Sequence, residues 1–411
     1  MATVPLRTDL RHTEPLAELE SLVETAGARI IGQTIQKLEK PHSRFYLGKG
    51  KMEELHLETE ANEIDVVIFD HNLTPSQIHN LEKELKRKVI DRTEVILDIF
   101  ATHARSGPAK LQVELAQLEY NLPRLAKMWT HLTNEQQRGI GMGQRGPGEK
   151  QIEVDRRLAR RRITDLKRQI EQQQRQKQRE VESRSSRNFT VSLVGYTNAG
   201  KSTLMNALTE AEVLVDNRLF STLDTRTRLW NLDGGVPVLL SDTVGFIRHI
   251  PHGLVTSFHA TLEEVSQADL LLHVVDASHP EREEQIKAVE EVLEELQCGE
   301  IPTILIFNKI DRLQDPVEKT LLQNRYPQAL ILSARTKAGF EDLHPRVADI
   351  MTDRFVDIVA DIPVTEGRLS AELAGQAMIL EKTLIDEHFH MKLKVPRRMA
   401  WKLEPYLAPQ G

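Results

Sequence analysis

The strongest constraint on this chain is a run of eight residues. GYTNAGKS (195–202) places Gly195 and Gly200 ahead of Lys201 and Ser202, between an apolar run, FTVSLV, and a helix-like segment, TLMNAL. A strand that turns sharply into a helix belongs to an α/β sheet with parallel neighbours. The two glycines let the backbone N–H groups of Tyr196, Thr197, Asn198 and Ala199 close around phosphate oxygens, and the helix N-terminus adds its positive end. Lys201 can reach the outer phosphates, and the Ser202 hydroxyl can ligate magnesium, with Thr203 next in the first helical turn.

The companions of this loop follow in order. DTVGF (242–246) ends the strand-like run VPVLLS. Asp242 is expected to hold magnesium through water, and the Thr243, Val244, Gly245 backbone to sense a terminal phosphate. NKID (308–311) ends the apolar run PTILIF at the carboxyl edge of the sheet, where open α/β folds bind ligands. The Asp311 carboxylate can accept two hydrogen bonds from the ring N–H and exocyclic amine of guanine, a pair that adenine lacks. Asn308 can brace the loop, and the Lys309 stem can lie over the base. Ser333, Ala334 and Arg335, after ALIL, are expected to offer backbone N–H groups to the guanine carbonyl. Between the first two motifs lies NRLFSTLDTRTRLW, in which Thr222 is the candidate for a second hydroxyl on magnesium. Residues 187–352 thus predict a doubly wound, mostly parallel GTP-binding domain.

Alternation of strands and helices over 29–108 predicts a second, smaller α/β domain behind an N-terminal segment, 1–28. In 109–186, Leu111, Leu115, Leu118 and Leu122 make one apolar stripe, which Pro123 is expected to interrupt. Ile152, Ala159, Ile163, Leu166 and Ile170 make another, and the two stripes predict an antiparallel helical hairpin. A helix over 152–182 would be roughly 45 Å long. Charge matters here. The chain carries a net −7, yet Arg156 to Arg187 holds twelve Lys/Arg against four Asp/Glu. Local basic density in an acidic chain is the footprint of phosphate binding, and a long hairpin with a small tip, GIGMGQRGPG carrying Arg145, suits folded RNA read by shape. Residues 353–411 read as a small α+β domain. The single cysteine, Cys298, excludes a disulfide scaffold and a multi-cysteine zinc site. No apolar run is long enough to cross a membrane, so a cytoplasmic chain without an integral membrane segment is expected.

The order GYTNAGKS, STLDT, DTVGF, NKID, SAR resembles a translation-factor-related GTPase. FDHNLTPSQIHNLE, VIDRTEVILDIFATHARS, LQVELAQLEY and GQRGPGEKQIEVDRR resemble the HflX family in particular. That resemblance implies a ribosome-associated GTPase that takes GTP and GDP with Mg2+. It implies the large ribosomal subunit and its RNA as partner, and a GTP-dependent splitting or rescue role under stress. A monomer in solution is expected.

Ras-like enzymes orient the attacking water with a glutamine directly after the switch glycine. Phe246 stands there, so slow intrinsic turnover and stimulation by a macromolecular partner are expected. Arg248, His249 and His252, just downstream, are read as solvated loop residues rather than catalysts. Two other classes stay open from the residues alone: an RNA-binding or RNA-remodelling protein whose nucleotide domain regulates affinity, and a peripheral scaffold at a membrane surface. The second lacks an amphipathic segment with an aromatic face or a lipidation signal.

Overall fold

The computed structural model describes residues 2–3, 15–128, 147–185, 189–209, 219–220, 226–232, 237–247, 265–353 and 355–408. The chain divides into two compact units: Met1–Arg175 with Asp216–Asp224 and Ile247–Thr261, and Gln176–Val215 with Thr225–Phe246 and Leu262–Gly411.

In the first unit, β1 (Ala2–Thr3), β2 (Thr34–Ile35), β3 (Val66–Phe69) and β4 (Lys88–Asp91) form a parallel sheet in the order β2-β1-β3-β4. Sequence reading anticipates a longer strand over 29–36. The structure pairs only Thr34 and Ile35, because β2 is an edge strand whose one neighbour is two residues long. Helix Pro75–Leu85 starts where the sequence requires. Thr74 caps it, Gln77 closes a capping box, and Pro75 takes the first turn, where its missing N–H costs nothing.

Asp91, fully buried, caps helix Arg92–His103 through the Glu94 N–H at 3.1 Å and also accepts from the Leu73 N–H, the Tyr120 hydroxyl at 2.6 Å and the Arg124 guanidinium at 3.1 Å. Burial and the Asp91 charge together hold the Tyr120 phenol far above its usual range. Buried Arg92 pairs with Glu18 and Asp70 at 2.6 and 2.9 Å. The strand ends are thereby tied to the helices that follow.

Helix Gly107–Met128 runs straight through Pro123, contrary to the expected interruption. The proline withholds the donor that would meet the Glu119 carbonyl, and the Arg124 side chain donates to the next carbonyl, that of Tyr120, at 2.8 Å. Opposite it lies helix Pro147–Ser185, longer than its apolar stripe. Leu111, Leu115 and Leu118 meet Ile163, Leu166 and Ile170 in one apolar seam, and Arg162–Glu114 and Lys167–Glu119 ion pairs flank it. The expected hairpin tip, including Arg145, lies outside the described residues.

The second unit is built on β5 (Phe189–Gly195), β6 (Arg226–Asn231), β7 (Pro237–Asp242), β8 (Leu270–Asp276), β9 (Thr303–Asn308) and β10 (Leu330–Ile331). Their order is β10-β9-β8-β5-β7-β6, and only β6 runs antiparallel. Every residue of β8 is buried, as a central strand covered on both faces demands. Leu270, Leu272 and Val274 point to one face with Leu204 and Val347, and Val275 points to the other with Ile286 and Leu322.

A separate antiparallel sheet, β11-β13-β12 (Phe355–Pro363, His388–Pro396, Met378–Ile385), carries helices Gly367–Gln376 and Arg397–Leu403. Ile358, Ala360, Ile362, Met391, Leu393 and Val395 bury against Leu373, Met399 and Leu403. Asp386 and Glu387, with φ of 42° and 64°, make the two-residue turn that suits a twisted hairpin. Among the described residues no helix is long and apolar enough to cross a membrane.

Candidate nucleotide-binding site

Strand β5 delivers the phosphate loop from the middle of the sheet. Gly195 has φ 149°, and a Cβ there would lie 2.2 Å from the Val274 carbonyl oxygen. Gly200 has φ 95°, and a Cβ there would lie 2.3 Å from Asn308 Nδ2. Glycine is obligatory at both. Asn198 takes a left-handed turn between them, φ 61°, which Asn tolerates better than most residues. Helix Lys201–Thr209 starts at once, with Ser202 and Thr203 half-buried in its first turn. The result is a concave backbone of the kind that holds an anion.

Lys201 is buried, and its Nζ donates to the carbonyls of Gly195 and Tyr196 at 3.0 and 2.9 Å. Burial pulls its pKa down to about 8 against the opposing pull of Asp242. The Ser202 hydroxyl donates to Asp242 Oδ2 at 2.6 Å, and Asp242 is buried at the end of β7. Thr243 Oγ1 donates to the Leu193 carbonyl at 2.6 Å, which fixes the exit of that strand. DTVGF then lies along the phosphate loop. The Phe246 N–H donates to the Gly195 carbonyl at 3.1 Å, and its carbonyl accepts from the Thr197 N–H at 2.8 Å. A Cβ on Gly245 would sit 2.8 Å from Thr197 Cγ2 and 3.1 Å from Lys201 Nζ. The Phe246 ring is buried, in keeping with a packing role.

The base-reading segments meet at the same carboxyl edge. Asn308 Nδ2 donates to the Ala199 carbonyl at 2.9 Å, and its Oδ1 accepts from the Ala334 N–H at 2.9 Å. Sequence reading assigns that N–H to a purine carbonyl; here it braces one loop against the other. Asp311 Oδ1 accepts from the Ser333 hydroxyl at 2.6 Å, and Oδ2 pairs with the Arg335 guanidinium at 2.8 Å. Thr222, Arg248, His249 and His252 lie outside the described residues. Leu219 and Phe220, just before Thr222, belong to the first unit, where the Leu219 N–H donates to Thr25 Oγ1 at 3.3 Å and the Phe220 ring meets Phe100 edge-on at 4.7 Å.

Ser202 and Asp242 offer a hydroxyl and a carboxylate, the hard oxygen donors that Mg2+ takes alongside phosphates and water. Among the described residues no group of three or more His, Cys, Asp or Glu could hold a metal alone.

Two residues escaped the motif reading. Asp276 ends β8 beside Asn308 of β9. His273 interrupts an otherwise apolar strand, is buried, and has an Nε2 without a hydrogen-bond partner. Burial, reinforced by the Lys201 charge, holds its pKa down to about 4 from an ordinary 6.5. The unfolded chain therefore takes the proton first as pH falls. Stability from this group is whole above about pH 6.5 and is lost towards pH 4, by about 3 kcal/mol. His273→Leu is expected to flatten the fall in unfolding free energy between pH 6.5 and 4, measured by urea titration. Parallel curves for variant and parent would reject this.

Comparisons with known proteins bear on the whole chain. Family models match residues 13–101 as a GTP-binding GTPase N-terminal region, 103–184 as a GTP-binding GTPase middle region, and 190–309 as a 50S ribosome-binding GTPase. The chain is 44% identical over 391 residues to GTPase HflX of Escherichia coli strain K12, covering 94% of this chain and 91% of that protein. It is 46% identical over 370 residues to GTPase HflX of Magnetococcus marinus, covering 89% and 84%. Against GTPase HflX of Chlamydia pneumoniae it is 39% identical over 413 residues, covering 99% and 87%.

Proposed function

The chain belongs to the HflX family of GTPases, and on that premise we propose that its GTP hydrolysis serves as a switch on the large ribosomal subunit. The observation that carries the reading is one shared edge. The phosphate loop, Asp242 and the Asp311 loop meet there: Asn308 ties the phosphate loop to the Ser333–Arg335 loop by its bonds to Ala199 and Ala334, and Ser202 bonds Asp242.

In this reading the loop from Gly195 to Gly200 cradles phosphates through its N–H groups, and Lys201 leaves the carbonyls it now faces to meet the outer phosphates. Asp311 reads the guanine edge, held in aim by Ser333 and Arg335. Ser202, Asp242 and Thr222 would hold Mg2+, which supplies charge neutralisation on the phosphates. Phe246 has no group to orient water. Positioning is most of phosphoryl-transfer catalysis, so the isolated chain turns over slowly and a partner completes the site.

The partner is argued from charge. Arg157, Arg160, Arg161, Arg168 and Arg175 are exposed along helix Pro147–Ser185, a ladder suited to RNA phosphates. Splitting or rescue of stalled ribosomes under stress, by a monomer in the cytoplasm, is the role this family resemblance supports.

Turnover measured with purified large subunits, naked ribosomal RNA, or anionic vesicles separates the readings. Intact subunits are expected to raise the rate by about 10²-fold or more, within the range that completing a GTPase site supplies. Equal stimulation by bare RNA would favour an RNA-remodelling protein, and stimulation by vesicles a membrane scaffold. No stimulation by subunits would end the proposal.

A further inference from the structure

We propose that Asp276, outside all the nucleotide motifs, is a positioning residue that sets nucleotide affinity by holding Lys309. The inference rests on the reading of the site as a guanine-nucleotide site.

Asp276 is the last residue of β8 and is held on both oxygens. Its Oδ1 accepts from the Ser278 N–H at 3.0 Å and the Ser278 hydroxyl at 2.6 Å. Its Oδ2 takes the Lys309 ammonium at 2.7 Å. That ammonium also donates to the Asn198 carbonyl at 2.6 Å, in the phosphate loop. The carboxylate is thus fixed before it meets the lysine, and the lysine is fixed between two loops. Side-chain exposure is 14% for Lys309 and 12% for Asp276, so water screens the pair little.

Lys309 needs such a hold. Its backbone is left-handed, φ 64°, and a four-carbon stem has many rotamers to lose. Anchoring the ammonium draws the stem across from the NKID loop to Asn198, so part of the ordering is complete before a purine lies against it. Preorganisation of this kind raises affinity by lowering the ordering cost of binding. It leaves base choice to Asp311, whose carboxylate Asp276 does not touch: its oxygens go to Ser333 and Arg335.

The test uses full-length chain and four variants: Asp276→Ala, Asp276→Asn, Lys309→Ala and the double variant Asp276→Ala/Lys309→Ala. GDP and GTP dissociation constants and off-rates, preference for guanosine over inosine nucleotides, and nucleotide-free melting are measured. Asp276→Ala is expected to weaken GDP binding by 10- to 100-fold, a range of about 1.4 to 2.8 kcal/mol. The loss should fall mainly in the off-rate, with guanosine-over-inosine preference unchanged. Asp276→Asn, which keeps the shape and removes the charge, should fall between. In the Lys309→Ala background, Asp276→Ala should add no further loss. A loss that persists undiminished in that background, or no loss in either single variant at Asp276, would overturn the proposal. A parent chain that fails to bind GDP would instead overturn the site reading itself.

Discussion

Replacing Asp311 by Asn is expected to cut GTP affinity by about 10³-fold and to make xanthosine triphosphate the better ligand. The carboxylate accepts on both oxygens, and guanine presents two donors on one edge. Ser333 and Arg335 each take one oxygen, at 2.6 and 2.8 Å, and fix the plane of the group while leaving lone pairs on both. A carboxamide presents one acceptor and one donor. Its N–H₂ would face the exocyclic amine of guanine, leaving donors opposed, whereas xanthine has a carbonyl there. Sites built to pair a polar edge reject the mismatched ligand strongly because the unpaired group keeps its desolvation cost. Calorimetric titration with GTP, xanthosine triphosphate and ATP checks it. Unchanged GTP affinity in the variant would remove Asp311 from base reading.

Lys201→Met should divide affinity and stability with opposite signs. The variant keeps the stem and removes a buried ammonium. Truncating one member of a hydrogen-bonded charge pair costs about 2–5 kcal/mol, so GTP and GDP binding should weaken by about 10²- to 10³-fold. The nucleotide-free fold should melt at or above the temperature of the parent. Burial, the larger cause, and the Lys309 charge depress the Lys201 pKa to about 8 from 10.5, against Asp242. At neutral pH the unfolded chain therefore solvates this cation better than the fold does, a cost of up to about 3 kcal/mol that the methionine removes. That cost fades for the parent as pH rises from about 8 to 10.5. Parallel melts and titrations decide it: a variant that binds normally, or one that loses binding together with stability, contradicts the assignment of Lys201 to the phosphates.

The sequence reveals much of the nucleotide site because its parts are local. A glycine-bounded turn after an apolar strand, or an acid just past one, carries its position in the sheet with it. The helix pair is legible for a similar reason, since stripes at helical spacing mark the faces that meet in the seam of Leu111, Leu115, Leu118, Ile163, Leu166 and Ile170. What escapes is tertiary. Nothing around Asp276 says that a lysine 33 positions later will find it. Pro123 reads as a break, yet the helix continues past it, giving up only the one donor that would meet the Glu119 carbonyl. The run from Arg29 reads as a full strand, while its length is set by the two residues of β1 beside it. The brace from the Ala334 N–H to Asn308 Oδ1 is likewise invisible in either motif alone.

The steric walls around the phosphate loop also set its mutational tolerance. Gly195 meets a backbone carbonyl and Gly200 meets the amide that ties the base loop to it, so a single added carbon at either has no open direction. Gly32, Gly50 and Gly107 have nothing within 4 Å of the same atom. A library randomised at all five and selected for activity should return near-blank columns at the first two and varied residues at the other three, marking where drift is open and where it is closed.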